Sequence, residues 1–571
     1  MREVTPIPPE AATLPPPPPT AGQLASQGEQ CFARRDYVGA ASAFRDALRL
    51  QPDNAAVWSN FAAVLYEQHQ LDDSILAARE ALRLAPGMLE AWNNLGTTLN
   101  QAGRPMEAVD AYQAALTIKP SSDVWSNQGS AYKAAGRIED ALTCYGNALA
   151  LDPTNWRAWS NMLLVLHYSE KHSIAEIAAA HRQFGDAAGT PPAKLPAKTP
   201  KKRLRIGLVS ADFYNHPVGR LLLPVLQAKQ GGRFEWFGYL NNPFRDSVTE
   251  QICQALDGAR LIASASDQAF AQQVAIDDID ILIDLSGHTR GNRLRAFNQR
   301  MAPVQATWLG YAFTTGLPAM DFIIADPGVL PLTDVELYTE TPVYLPHFYL
   351  LAGQPKTTLK PSPPPMLRQA YPTFGSFNNP AKISAQVLAL WVRLLRETPN
   401  SRLLFKSKAY ADATLCQKMR TLFANDGVAS ERLSFESESW GDSYFESYSR
   451  IDIALDPFPF PGLMTSLDTL WMGVPVVTLQ ARGGILGRHA ARLLELIGHP
   501  EWVAHSEDDY LRVVGKLLAD PQQLATWRSS LRTKMSHAAF MDGQRFVSDF
   551  EAVLVAMAAT KGITLDDAPT P

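Results

Sequence analysis

A tryptophan recurs through the first third of the chain at a nearly constant spacing. The four positions are Trp58, Trp92, Trp125 and Trp159. Their spacings of 34, 33 and 34 residues restrict the fold severely, because a repeat of this length is one supersecondary unit that buries its apolar face only against its neighbours. We therefore predict an all-α solenoid over residues 21–185.

Small and apolar residues keep the same phase between the tryptophans. Ala108, Tyr112 and Ala115 precede Pro120, and the same order returns 33 residues later, ending at Pro153. This is the pattern of the tetratricopeptide repeat, in which small residues let two helices approach and a proline closes the second helix. The tryptophans are expected in the core of this superhelix.

An asparagine follows each tryptophan by two residues. The set is Asn60, Asn94, Asn127 and Asn161. Two positions along a helix rotate a side chain by about 200° away from the buried stripe, and each carboxamide can both donate and accept. We interpret the set as an asparagine ladder that binds the backbone of a protein or peptide along the inner groove. Helix capping and hydrogen bonding between repeats are the structural alternatives.

A change of period follows the solenoid. Short β-branched runs alternate with helix-like segments, which indicates parallel βα units in doubly wound, Rossmann-like sheets. The predicted strands are 204–209, 234–240, 280–285, 304–311 and 320–326, then 373–377, 402–406, 433–436, 451–455 and 474–479. The predicted organisation is a disordered proline-rich tail (1–20), the solenoid, a linker (186–202), an N-terminal lobe (203–358), a hinge (359–372), a C-terminal lobe (373–555) and a tail (556–571).

Composition narrows the partners and the compartment. A net charge of −5 and a pI near 6.2 offer no basic field for nucleic acid. No apolar run approaches the roughly 18 residues of a membrane span. The four cysteines form no Cys-x-x-Cys motif, which fits a reducing compartment. We expect a soluble, cytoplasmic protein without nucleic-acid or membrane partners.

The stretch 451–479 carries the most informative motif. A buried strand is predicted to end at Asp456, a loop with Gly462 follows, and a helix begins near Thr465 or Ser466. A helix start offers free N–H groups and a partial positive charge to a diphosphate, and Asp468 one turn later could accept hydrogen bonds from ribose hydroxyls. The alternative is an ordinary capped helix.

The same predicted lobe opens with Asn378, Asn379 and Lys382 in the loop after its first strand. A lysine at this edge could neutralise the charge that grows on a leaving diphosphate. We predict that Asn379 and Lys382 belong to the site, although a lone lysine is more often a solvated surface charge.

Three polar segments follow successive strands of the first lobe. They contribute His216, then His288, then Tyr311 and Thr314. Histidine titrates near neutrality and could act as a general base or orient an acceptor hydroxyl. We predict His216 and His288 as catalytic residues and Tyr311 and Thr314 as donor-binding residues, with core packing as the alternative for the tyrosine.

Other chemistries lack their residues. Asp278 and Asp280 have the spacing of a metal-binding pair, yet they lead into a buried strand rather than following one. No Walker loop, Gly-x-Ser-x-Gly, Gly-x-Gly-x-x-Gly or zinc-ligand pair occurs. We expect no metal and no cofactor.

Together these motifs resemble one family, the protein O-GlcNAc transferases with their plant and bacterial SPINDLY-type relatives. The resemblance covers about residues 21–550 and rests on the repeats, ADFYNHP, LSGHTRGNR, WLGYAFTTG, FGSFNNPAKI and TSLDTLWMGVPVVTL. It implies a GT-B fold and an inverting, metal-independent transfer of GlcNAc from UDP-GlcNAc to serine or threonine of proteins. It also implies that His216 is the active-site histidine, Lys382 the diphosphate lysine and Asp468 the ribose-binding aspartate.

One departure from the family pattern leaves alternatives open. Members usually carry polar residues where this chain has Leu463 and Met464, at the predicted phosphate-binding helix start. A repeat-based adaptor with weakly active lobes is therefore a second hypothesis. A related transferase that uses UDP-glucose or GDP-fucose is a third.

Overall fold

The computed structural model describes residues 18–192, 201–437 and 439–565. Most of the predicted proline-rich tail, residues 193–200 of the predicted linker and the last six residues of the predicted tail lie outside this part of the chain. By its internal packing the chain divides into two compact units, one up to Ala131 and one from Tyr132 onward.

Among the described residues, ten helices precede the first strand. Their bounds are α1 Ala21–Ala33, α2 Tyr37–Leu50, α3 Ala55–Glu67, α4 Leu71–Leu84, α5 Leu89–Gln101, α6 Pro105–Ile118, α7 Ser122–Ala134, α8 Ile138–Leu151, α9 Trp156–Leu166 and α10 Ile174–Ala188. Glycine permits the closest approaches within hairpins, because a Cβ on Gly28 or Gly96 would lie 2.6 or 2.7 Å from the ring of Phe44 or Tyr112. The predicted helical repeats are confirmed.

The repeat tryptophans are half-buried rather than fully buried in the core as expected. The indole N–H groups of Trp58, Trp92 and Trp159 donate to the carbonyl oxygen of the proline six residues earlier, at 2.8, 2.9 and 3.0 Å. These three bonds tie each indole to the turn that precedes its own helix.

The first sheet has seven parallel strands in the order β3-β2-β1-β4-β5-β6-β7. The bounds are β1 Leu204–Ser210, β2 Phe234–Leu240, β3 Gly258–Leu261, β4 Ile281–Asp284, β5 Val304–Thr307, β6 Phe322–Ala325 and β7 Thr341–Tyr344. Four short helices accompany it: α11 Pro217–Ala228, α12 Ser247–Ala255, α13 Asp267–Ile276 and α14 Leu294–Phe297.

The second sheet has six parallel strands in the order β10-β9-β8-β11-β12-β13. The bounds are β8 Thr373–Ser376, β9 Arg402–Lys406, β10 Leu433–Glu436, β11 Ile453–Leu455, β12 Val476–Leu479 and β13 Val503–Ala504. The helices are α15 Met366–Gln369, α16 Ala385–Glu397, α17 Ala413–Asn425, α18 Asp442–Glu446, α19 Met464–Trp471, α20 Gly484–Leu496, α21 Glu507–Ala519, α22 Pro521–Ser536 and α23 Gly543–Ala559. Both sheets are doubly wound, as predicted.

Three strands were not predicted from the sequence: β3, β7 and β13. All three lie at the edge of a sheet. β3 alternates half-buried and exposed residues, β7 contains Pro342, and β13 has two residues. An edge strand needs neither a continuous apolar run nor a donor at every position, so its sequence signal is weak.

Two groups of helices pack across the predicted domain boundaries, which stay predictions. α8 to α10 belong to the second unit, and Leu163, Ile177 and Phe184 join its hydrophobic core. α23 extends past the predicted end of the C-terminal lobe at residue 555 and packs on the first sheet, with the rings of Phe550 and Trp308 4.7 Å apart. The chain therefore returns to the first lobe before it ends.

Hydrogen bonds hold the predicted hinge, residues 359–372, in place. Arg528 and Arg532 of α22 donate to the carbonyl oxygens of Ser362 and Leu359, both at 2.8 Å, which holds this irregular segment against the second lobe. In the part of the chain that the structure describes, no helix combines the length and apolarity needed to span a membrane.

Candidate functional site

In each sheet the order in which successive strands are added reverses at one point, the switch point. It lies between β1 and β4 in the first sheet and between β8 and β11 in the second. Ligands of open α/β sheets bind outside the carboxyl ends of the strands at such a switch point. His216 follows β1, while Lys382 follows β8 and the loop 456–462 follows β11. A small pocket at the second switch point is lined by Asn378, Asp456, Thr465 and Ser466, among others.

Lys382 is held in an apolar setting beside this loop. Its Nζ donates to the carbonyl oxygen of Pro461 at 3.0 Å and lies 4.4 Å from the centre of the Phe460 ring. Desolvation lowers the pKa of Lys382 to about 8, against an opposing attraction from Asp456. Lys382 forms no ion pair with the carboxylates that the structure describes, although the charge of Asp456 attracts it.

Asp456 fixes the loop that Lys382 contacts. Its carboxylate accepts hydrogen bonds from the Gly462 N–H at 2.7 Å and the Thr478 hydroxyl at 2.8 Å. Burial raises the pKa of Asp456 to about 7, while these bonds and Lys382 oppose the rise. A Cβ on Gly462 would lie 2.9 Å from Asn378 Oδ1 and from Asp456 Oδ1, so only glycine allows this approach.

The predicted helix start is present, since α19 begins at Met464. No side chain caps α19, which leaves N–H groups for a ligand. The Thr465 hydroxyl donates to Asn378 Oδ1 at 3.1 Å, and the Ser466 hydroxyl donates back to the Gly462 carbonyl at 3.2 Å. Asn379 caps the turn that presents Lys382, accepting from the Ala381 N–H at 3.0 Å.

Asp468 joins the two lobes. Its carboxylate pairs with Arg220 of α11 at 2.9 Å and accepts a hydrogen bond from the Tyr444 hydroxyl at 3.3 Å. Burial raises the pKa of Asp468, and Arg220 opposes this rise. Sequence reasoning missed Arg220, because the spacing of its segment does not point to the other lobe.

His216 is the N-cap of α11, four residues before Arg220. Its Nδ1 accepts a hydrogen bond from the Val218 N–H at 3.4 Å and lies 3.7 Å from Asp212. With Nδ1 as the acceptor, the ring carries its proton on Nε2. Burial lowers the pKa of His216, and the charge of Asp212 opposes the shift.

Three predicted site residues lie elsewhere. His288 is buried between Ser160 Oγ at 3.1 Å and the Thr315 carbonyl at 2.9 Å. The Tyr311 hydroxyl lies 3.0 Å from His167 Nε2 and 2.8 Å from His181 Nε2. We call His167, His181, His288 and Tyr311 the histidine layer.

The histidine layer lies where α9 and α10 cover the ends of β4 and β5, which the sequence motifs could not show. Thr314 is equally enclosed, since its hydroxyl donates to Glu340 at 2.6 Å. Each of these side chains is paired within the protein. The structure therefore does not place His288, Tyr311 or Thr314 among the groups around Lys382 and Asp468.

Three of the four asparagines of the ladder donate hydrogen bonds through their amide nitrogens. Asn60 donates to Glu29, Asn94 to Ser59 and Asn127 to Asn93, at 3.3, 3.1 and 2.9 Å. Each bond links one repeat to the preceding one, which is the structural alternative raised above. Peptide binding by the amide oxygens stays a prediction.

Comparison with known proteins agrees with this arrangement. The model of glycosyl transferase family 41 matches residues 160–360 and 367–550, and tetratricopeptide-repeat models match residues 27–88, 60–123 and 122–155. The chain is similar to a mutant of Thermobaculum terrenum O-GlcNAc transferase, with a TM-score of 0.82 and 31% identity over 89% of this chain and 98% of that chain. The predicted GT-B architecture is thereby confirmed.

Two plant proteins are similar in sequence. Each is named probable UDP-N-acetylglucosamine–peptide N-acetylglucosaminyltransferase SPINDLY, one from Petunia hybrida and one from Solanum lycopersicum. Both are 31% identical to this chain and cover 71% of it. The alignment spans 44% of each plant protein. From the family match and the geometry of the two switch points, the chain belongs to glycosyl transferase family 41.

Proposed function

We propose that this protein transfers GlcNAc from UDP-GlcNAc to serine or threonine hydroxyls of proteins, with inversion at the sugar. The observation that carries the proposal is the desolvated Lys382 ammonium, which forms no ion pair with a described carboxylate and lies beside the uncapped start of α19. A desolvated cation outside an ion pair is costly unless a ligand supplies the charge. A nucleotide diphosphate fits this requirement, and the names of the relatives support the sugar.

The reaction is a single displacement. The acceptor oxygen attacks the anomeric carbon as the bond from that carbon to the diphosphate breaks, and UDP leaves with the bonding electrons. Lys382 and the N–H groups of α19 stabilise the charge that develops on UDP. His216 carries its proton on Nε2 and positions the reacting groups, while the acceptor proton passes to water.

The chain's own cation and helix start supply the positive charge that a metal provides in other sugar transferases. We therefore propose metal-independent transfer. Equal turnover with EDTA and with added Mg²⁺ or Mn²⁺ is the expected result. Activity that disappears with EDTA and returns with one of these ions would contradict it.

Donor binding involves the Arg220–Asp468 pair. We assign Asp468 to the ribose hydroxyls, which then share its carboxylate with Arg220 and Tyr444. Because Arg220 belongs to the first lobe, the ribose would contact a junction of both lobes. Donor binding would therefore also involve α11, the helix that begins beside His216.

The decisive test is a donor panel with the full chain and a mixed protein acceptor. UDP-GlcNAc is expected to be consumed with formation of UDP and modified protein, faster than UDP-glucose or GDP-fucose. Preference for another donor would correct the sugar. Binding of UDP without turnover of any donor would favour the adaptor hypothesis that Leu463 and Met464 raise.

Acceptor binding is assigned to the asparagine ladder, whose amide oxygens can accept from a peptide backbone. Replacing all four asparagines with alanine should impair modification of proteins and spare a short peptide, because each hydrogen bond contributes about 0.5–1.5 kcal/mol. Ser59→Ala is the matched control, since it loosens the contact between repeats at Asn94 without removing an amide oxygen. Equal losses in both variants would make the ladder structural.

A further inference from the structure

The segment between α9 and α10, residues 167–172, leaves the helical region and contacts the second lobe at three places. We call it the connector. Arg482 of the second lobe donates to its carbonyl oxygens at Ser169 and His172, at 2.5 and 2.7 Å. Glu170 accepts from the Gln386 N–H at 2.7 Å, in the first turn of α16, just after Lys382. The third contact involves Tyr168.

Tyr168 stacks on Phe460. The two rings are nearly parallel, with 9° between their planes and 4.7 Å between their centres. Phe460 is the same residue whose ring lies 4.4 Å from Lys382 Nζ. One aromatic side chain of the loop 456–462 therefore contacts both the connector and the lysine that we assign to the diphosphate.

These contacts have a physical consequence for the site. The segment 457–461 is largely proline and phenylalanine, and Phe460 is half-buried. Removal of the Tyr168 ring would expose one side of Phe460 and free it to move. Water would then reach the Lys382 ammonium, whose low pKa arises from desolvation.

We propose that the connector completes the donor site, with Tyr168 as a positioning residue that acts on Lys382 through Phe460. The helical region is then part of the transfer machinery as well as a binding surface for acceptors. The inference rests on the proposed function, since it assumes that Lys382 binds the diphosphate. It assigns no direct contact between Tyr168 and the donor.

The test measures UDP binding to the full chain by calorimetry across pH 6.5–10, which requires neither sugar nor acceptor. Two charged or titratable neighbours face Lys382, namely Asp456 and His489, and both stay in place in every variant. In the parent, UDP affinity should fall as pH rises through about 8, where the lysine loses its proton. Tyr168→Ala should weaken binding at pH 7 by about tenfold and move this decline to higher pH, because a hydrated ammonium keeps its proton longer.

Two variants separate positioning from general damage. Tyr168→Phe retains the ring and should behave as the parent in affinity and pH profile. Tyr371→Ala removes a half-buried tyrosine that packs on Arg402 of the second lobe and should leave both unchanged. A Tyr168→Ala protein with parental affinity and an unmoved pH profile would overturn the inference, as would a loss of affinity without any pH shift.

The proposed function fails in a different way. If the parent binds UDP and consumes no sugar nucleotide, the transferase assignment falls while the connector's action on Lys382 is still decided by the UDP profiles. If the parent binds no UDP at any pH, both proposals are overturned.

Discussion

The half-buried ammonium of Lys382 and the buried histidine layer are both polar groups shielded from water, yet they differ in how they are paired. In the histidine layer, ring nitrogens and the Tyr311 hydroxyl find partners within the protein. Burial lowers the pKa of His288 to about 4 and that of His167 to about 3, so the layer is neutral near pH 7. Lys382 has one carbonyl partner and no ion pair among the described residues.

This difference distinguishes a structural layer from a binding site. A buried polar group with internal partners contributes to packing and specificity, whereas one that lacks its natural partner indicates a ligand. The pairing of the groups favours the edge between β8 and β11, where the sequence had predicted Asn379, Lys382 and the helix start.

The largest effect is expected at the unpaired cation. Lys382→Ala should lower kcat by about 100- to 1000-fold, the scale for losing one electrostatic contact to the leaving group, with little change in melting temperature. The control is Lys561→Ala, which removes a half-buried lysine whose ammonium is paired with Asp321 at 2.7 Å and should retain turnover. Steady-state UDP release measures both, and parental kcat in Lys382→Ala would remove this lysine from the site.

A smaller effect is expected at the junction of the lobes. Asp468→Asn keeps the shape of the side chain but removes its charge, so the KM for the donor should rise by about 10- to 100-fold, since hydrogen bonds to charged groups contribute about 1.5–3 kcal/mol. Turnover at saturating donor should change less than KM. An unchanged KM would mean that this carboxylate serves only Arg220 and Tyr444 and does not bind the donor.

The pH dependence of kcat/KM tests whether the charge of Lys382 is required. Lys382 acts only as a cation, so kcat/KM for the donor should fall as pH rises through about 8, by about tenfold for each further pH unit. Lys382→Arg retains a charge to far higher pH, so its profile should lack this decline even if its activity is low. A parental kcat/KM profile that stays flat to pH 9.5 would contradict the lowered pKa of Lys382.

Substitutions in the histidine layer, or next to it, should leave kcat unchanged. Thr314→Val removes the hydroxyl that donates to buried Glu340, and the free energy of unfolding should fall by about 1–3 kcal/mol. The kcat of the remaining folded protein should equal that of the parent. Thermal denaturation and turnover are measured on one preparation. A raised donor KM at unchanged stability would restore Thr314 to the donor site, as the sequence predicted.

The sequence by itself determined the parts that depend on local periodicity. The 34-residue spacing led to the helical repeats, the β-branched runs led to ten of the thirteen strands, and the loops that contain Lys382 and Gly462 were identified from their position after a strand. These features follow from short-range rules, because a turn or a buried strand is encoded in neighbouring residues.

Only the tertiary structure decided which polar residues share a surface. Arg220 meets Asp468 across 248 positions, and Tyr168 meets Phe460 through a contact that no motif encodes. His288 and Tyr311 have the same kind of sequence setting as His216, yet α9 and α10 cover them. Burial and pairing arise when distant segments pack together, so the sequence offered the candidates and packing selected among them.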